Sequence, residues 1–219
     1  RSFSIAARAG SSLHQLRLKR GAYRLDDASL RVLHKASPLV SSNEANIEGG
    51  LGLSVSLSGD GCDDNGVIGW RARRHTGLID VDRIGELDPG DYFEPLAPAK
   101  SDFLILDPDE FYILASKEAL VIPPDYAAEM TPISPGLGEF RVHYAGFFDP
   151  GFGWSETGLN GSRAVLEVRS HDAPFVLEDG QLVARLVYEN MSSRPATLYG
   201  AGLKSNYQGQ GLKLSKHFY

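Results

Sequence analysis

Apolar and polar positions alternate from residue 51 onward, where Leu51, Leu53, Val55 and Leu57 are interleaved with Gly52, Ser54, Ser56 and Ser58. A period of two puts one apolar face on an extended chain, so this segment predicts a strand. Short strands are predicted in turn at 67–72, 77–81, 103–106, 111–115, 119–122, 140–145, 163–169, 182–189 and 196–199. Turn-forming clusters separate them, among them Asp107-Pro108-Asp109, Asp149-Pro150-Gly151, Asn160-Gly161 and Glu178-Asp179-Gly180. Short strands at such spacing predict an all-β barrel or sandwich.

The first 50 residues read differently. Residues 2–20 predict two short strands about the turn Ala9-Gly10-Ser11-Ser12. Asp26 and Asp27 are placed to cap a helix reaching Ala36, with Leu30, Val32 and Leu33 as its apolar stripe and Ser37-Pro38 as its stop. Ser41 to Asn46 is a polar linker closing at Gly49-Gly50. A turn followed by a strand occurs both at Gly10 to Leu18 and at Asp179 to Val187, a weak internal repeat. With no initiator Met before Arg1, the expected organisation is closing strands of a preceding, absent repeat at 1–21, a helix and linker at 22–48, and a β module with a covering tail at 49–219.

Composition narrows the function. The 219 residues are 42% hydrophobic and 23% charged, enough for a sizeable core, and Gly 24 with Pro 12 fits many turns. The 28 acidic residues exceed 22 basic ones, leaving a net charge of −6, so neither nucleic acid nor an anionic membrane is an expected partner. Apolar runs such as Phe103 to Leu106 are strand-sized, far below a bilayer span. The lone Cys62 cannot form an internal disulfide, which fits a cytoplasmic setting, and its neighbours Asp60, Asp63 and Asp64 oppose a thiolate. A calcium loop opening at Asp60 would need a glutamate where Arg71 stands. The six histidines form no short-spaced zinc pair, and no Gly-x-Ser-x-Gly elbow occurs. The basic run Arg71 to His75 reads as a solvated strand end.

Three segments carry candidate chemistry. On the strand Arg163-Ala-Val-Leu-Glu-Val-Arg169, Glu167 shares a face with Val165 and Arg169. Burial there would raise its pKa toward a range useful for proton transfer, whereas an exposed face would leave Glu167 and Arg169 in water. Tyr144 to Trp154 joins aromatic rings to a glycine-rich turn and Asp149, suited to stacking on a planar base or to a tight hairpin with core aromatics. The tail Asn206-Tyr-Gln-Gly-Gln-Gly211, with Lys213 and Lys216, offers open backbone N–H groups for phosphate oxygens, or is a flexible end.

In order along the chain, Phe111-Tyr-Ile-Leu, Val121-Ile-Pro-Pro-Asp-Tyr126, Ala145-Gly-Phe-Phe-Asp-Pro-Gly-Phe152, Leu166-Glu167, Asp179-Gly-Gln-Leu182 and Asn206-Tyr-Gln-Gly-Gln210 resemble the landmarks of the deoxycytidine triphosphate deaminases of the trimeric dUTPase superfamily. The likeness spans roughly residues 51–217 and is greatest to the carboxy-terminal part of the long, two-repeat bacterial form. It implies an all-β, distorted β-barrel with few short helices, assembled as a homotrimer or trimer-based oligomer. It also implies hydrolytic deamination of dCTP to dUTP and ammonia, with Glu167 as general base and acid and without zinc, whose His-x-Glu and Pro-Cys-x-x-Cys patterns are missing here. Mg2+ would accompany the triphosphate. By the same resemblance His143 and Ala145 read the pyrimidine edge through their backbone, Asp149 is the turn aspartate, and Tyr199, Asn206, Tyr207 and Gln210 lie near sugar and phosphates.

Two departures stand out. Asn206 takes the place of a phosphate-binding lysine, and Pro132-Ile-Ser-Pro-Gly-Leu-Gly138 replaces a Ser-x-x-x-Arg helix start, so a missing upstream repeat is expected to supply that serine and arginine. A dUTP pyrophosphatase, a bifunctional deaminase and pyrophosphatase, or a catalytically silent nucleotide-binding or assembly module are the competing readings.

Overall fold

The computed structural model describes residues 18–42, 44–59, 66–98, 103–133, 140–143, 146–156, 161–170, 173–200 and 211–219. Helix α1 (Asp27–Ala36) begins where the sequence places it: Asp26 accepts a hydrogen bond from the Ser29 N–H at 2.8 Å, and the Ser37 N–H closes the last turn on Leu33. Leu30 is buried and Leu33 packs beside it. Val32 faces solvent instead, because two residues along a helix turn a side chain to the opposite face. Asp27 receives the Gly49 and Gly50 N–H groups at 2.8 and 3.0 Å, tying the end of the predicted linker to the helix.

Eleven strands and one further short helix follow among the described residues: β1 (Leu51–Ser54), β2 (Gly69–Ala72), α2 (Pro89–Tyr92), β3 (Phe93–Leu96), β4 (Phe103–Leu106), β5 (Phe111–Leu120), β6 (Tyr126–Pro132), β7 (Phe140–His143), β8 (Phe147–Phe148), β9 (Ser162–Ser170), β10 (Phe175–Glu178) and β11 (Leu182–Asn190). They form a four-stranded sheet in the order β1-β11-β6-β8, a five-stranded sheet β3-β2-β5-β9-β7, and the pair β10-β4. All of these pairings are antiparallel. The all-β prediction holds, but among the described residues the ladders stay in separate sheets and do not close into a barrel.

The main core lies between the sheets and includes Leu53, Leu114, Leu120, Leu166, Val168, Leu186 and Tyr188. On the other face of β5, Ile113 and Ala115 join Phe93, Leu212, Leu214 and Phe218 in a second cluster. Burial on both faces explains why the first half of β5, Phe111 to Ala115, is a continuous apolar run without alternation. Strand β3 tolerates Pro95 because it is the sheet edge, where a missing N–H breaks no ladder. Residues 77–81 and 196–199, predicted as strands, are irregular or turned. Ile79 is held by the second cluster and Tyr199 by a hydrogen bond to Pro150, so neither segment needs a ladder partner.

Candidate functional site

The site is built on β9. Its buried positions are Ser162, Ala164, Leu166, Val168 and Ser170; its half-buried positions are Arg163, Val165, Glu167 and Arg169. Strict alternation therefore sets Glu167 and Arg163 on one face, four residues and about 13 Å apart along the strand. Glu167 sits opposite Ile113 of β5 on one side and His143 of β7 on the other. Removal of water pushes the Glu167 carboxyl above the usual carboxylate range, and the Arg169 charge two residues along offsets only part of that rise. Arg169 itself stands over the Phe111 ring, 5.1 Å from its centre.

The opposite wall comes from the turn after β8. Gly151 N–H donates to the Ile122 carbonyl at 3.0 Å and Ile122 N–H returns a bond to Phe152 O at 2.8 Å, which fixes the turn against the end of β5. Both turn glycines have positive φ, and a side chain on Gly153 would put Cβ 2.0 Å from the Leu120 carbonyl oxygen. The turn brings Asp149 to a cleft of about 210 Å³ lined by Phe147, Phe148, Asp149, Phe152, Arg163, Val165, Glu167 and Tyr199. Phe152 meets Phe148 edge-on at 5.0 Å and the tilted Tyr199 ring at 5.6 Å, while Tyr199 N–H donates to Pro150 O. A larger cleft of about 520 Å³, lined in part by Lys19, Tyr23 and Glu189, shares Asp149 with the first.

Glu167, Asp149 and Tyr199, far apart in sequence, thus line one cleft, and the backbone of His143 pairs beside it. Glu167 and Arg169 are half-buried, between the buried and the solvent-facing readings of this strand face. Ala145, Asn206, Tyr207 and Gln210 lie outside the described residues, as do 1–17 and most of the segment 132–138. The described end of the tail is core, with Leu212, Leu214 and Phe218 buried. Arg163 was missed as a site residue, although it shares the sequence parity of Glu167. Its guanidinium donates to the Ser116 carbonyl at 2.9 Å. That carbonyl lies where β5 shifts register between Ala115 and Ala119.

A desolvated carboxylate, a second carboxylate and a guanidinium among aromatic walls define a cleft for a small planar ligand with a polar or anionic end. The chain belongs to the family described as 2'-deoxycytidine 5'-triphosphate deaminase (DCD), C-terminal domain, whose model matches residues 26–218. A crystal structure of 2'-deoxycytidine 5'-triphosphate deaminase from Agrobacterium tumefaciens is 54% identical with TM-score 0.75, over 84% of this chain and 52% of that one. Proteins named "dCTP deaminase, dUMP-forming" from Methanobrevibacter smithii and Beutenbergia cavernae are 30% and 31% identical, over 55% and 60% of this chain. The matches span 59% and 60% of those two relatives.

Proposed function

We propose that this chain takes part in the hydrolytic deamination of dCTP, with Glu167 moving the protons. The observation that carries this reading is the half-buried Glu167, its pKa raised by desolvation, in the cleft that also holds Asp149, Tyr199 and the Phe147/Phe148/Phe152 cluster. A base lying between those rings brings its amine-bearing carbon to the carboxylate. Glu167 takes a proton from water as the oxygen bonds to that carbon and passes it to the adjacent ring nitrogen, then carries the new hydroxyl's proton to the amine as the C–N bond breaks, so that dCTP and water yield dUTP and ammonia. A carboxylate with a raised pKa suits both halves of that transfer. The neighbouring His143 backbone is suited to reading the pyrimidine edge.

Asp149 supports a second reading, since a carboxylate at the same cleft could orient a further water toward the phosphates, and relatives carry the name "dCTP deaminase, dUMP-forming". Incubating the full natural polypeptide with dCTP and separating the products decides between them: ammonia with dUTP supports deamination alone, ammonia with dUMP and pyrophosphate supports both steps, and no ammonia removes the deaminase reading.

The same proposal has Mg2+ enter with the triphosphate, no zinc in the chemistry, a trimer-based assembly and a cytoplasmic setting. Among the described residues no group of three or more metal-binding side chains is gathered, and no helix is long and apolar enough to cross a membrane. An upstream repeat remains our proposed source of the serine and arginine that the segment 132–138 does not spell.

A further inference from the structure

We infer that Arg163 binds the phosphate end of the nucleotide in the Glu167 cleft and so selects a charged nucleotide over its nucleoside. The inference rests on the deaminase reading for the identity of the ligand but on separate observations for the role of the residue. Arg24, Arg71, Arg73, Arg74, Arg83 and Arg185 all pair with carboxylates. Arg163 does not: among the described residues its guanidinium, like that of the exposed Arg31 on Ile47 O, donates only to a backbone carbonyl, that of Ser116, which takes one donor of five. The side chain is half-buried and lines the cleft, and no carboxylate among the described residues, Asp149 and Glu167 included, is within ion-pair distance of it. An anion entering the cleft would pair with it, and the planar fork of donors matches phosphate oxygens.

Position narrows the choice of anion. Arg163 lies about 13 Å along β9 from Glu167, with Val165 between them, too far to act on the same reacting atoms. A base held at Glu167 therefore leaves the opposite end of the cleft for the phosphates. The Ser116 contact fixes the guanidinium without neutralising it. Ser116 is itself locked, its hydroxyl donating to Glu118 O at 2.7 Å and accepting the Ala164 N–H at 2.9 Å. A protein of net charge −6 needs such a placed cation to hold a triphosphate.

The test compares calorimetric affinities of dCTP and deoxycytidine for the full natural polypeptide and its Arg163→Gln and Arg163→Lys variants. Loss of charge-assisted bonds should weaken dCTP binding by about tenfold to a hundredfold in Arg163→Gln, change deoxycytidine binding less than about twofold, and be partly restored in Arg163→Lys. Equal losses for both ligands would make Arg163 a structural tie for the β5 irregularity, and unchanged dCTP affinity would remove it from the site. Selective loss of dCTP affinity in a protein that releases no ammonia would keep the phosphate role and discard the deaminase reading.

Discussion

Gly153→Ala should destabilise the protein well beyond the cost of an unfavourable backbone conformation. Gly153 has φ +64, where an alanine costs about 1–2 kcal/mol. The added Cβ would also lie 2.0 Å from Leu120 O and 2.7 Å from Ser162 N, both backbone atoms that cannot swing aside. Reaching an ordinary contact requires a shift of about 1 Å or more, which strains the Leu120–Ser162 pairing at the end of β5 and the Ile122 N–H bond to Phe152 O. Losing two such bonds adds about 1–3 kcal/mol, for a total of about 2–5 kcal/mol. Gly85 is the control: its φ of +68 is similar, but nothing lies within 4 Å of its would-be Cβ, so Gly85→Ala carries only the conformational cost. At about 2–4 °C per kcal/mol for a chain of this size, Gly153→Ala should lower Tm by about 4–20 °C and Gly85→Ala by about 2–8 °C. Thermal unfolding followed by circular dichroism checks the pair. A Gly153→Ala protein that melts within about 2 °C of Gly85→Ala would refute the close packing of the turn that carries Asp149.

Phe218→Ala should cost about 3–5 kcal/mol in denaturant unfolding, because Phe218 is buried edge-on against Phe93 and Tyr92; an effect below about 1 kcal/mol would mean the described tail is not core. The raised pKa of Glu167 also gives a signed pH effect. Below the ordinary glutamate pKa the group is neutral in both folded and unfolded chains; as pH rises through its higher folded value, ionisation costs more in the fold and stability is lost. Glu167→Gln should therefore melt near wild type at pH 4 and at or above it at pH 8, whereas a variant that falls behind at pH 8 would show an ionised Glu167 held by a partner.

The sequence pattern was most informative where one physical signal acted alone. Asp26 and Asp27 before Leu30 and Leu33 mark α1, and the alternation through 163–169 marks β9 and the face of Glu167. It was silent where prolines broke the pattern: β6 runs from Tyr126 just after Pro123-Pro124 and ends on Pro132, and β3 carries Pro95 at a sheet edge. Residues 77–81 and 196–199 misled because an apolar residue can be buried from an irregular chain. For the site, residue types suggest Glu167 and Asp149, and the family resemblance adds Tyr199. Their meeting in one cleft depends on pairings such as Ile122 with Phe152 that no local pattern encodes. Arg163 escaped because an arginine on a strand ordinarily reads as a solvated charge. Only its half-burial and lack of a carboxylate partner among the described residues set it apart.

The proposed proton-transfer role of Glu167 is tested by ammonia release from dCTP by the full natural polypeptide with and without Glu167→Gln, paired with calorimetric dCTP affinity. The amide keeps the shape and loses the proton transfer, so turnover should fall by about 10²–10⁴-fold while affinity stays within about tenfold. Near-normal ammonia release from the Gln variant would remove Glu167 from the proton transfer.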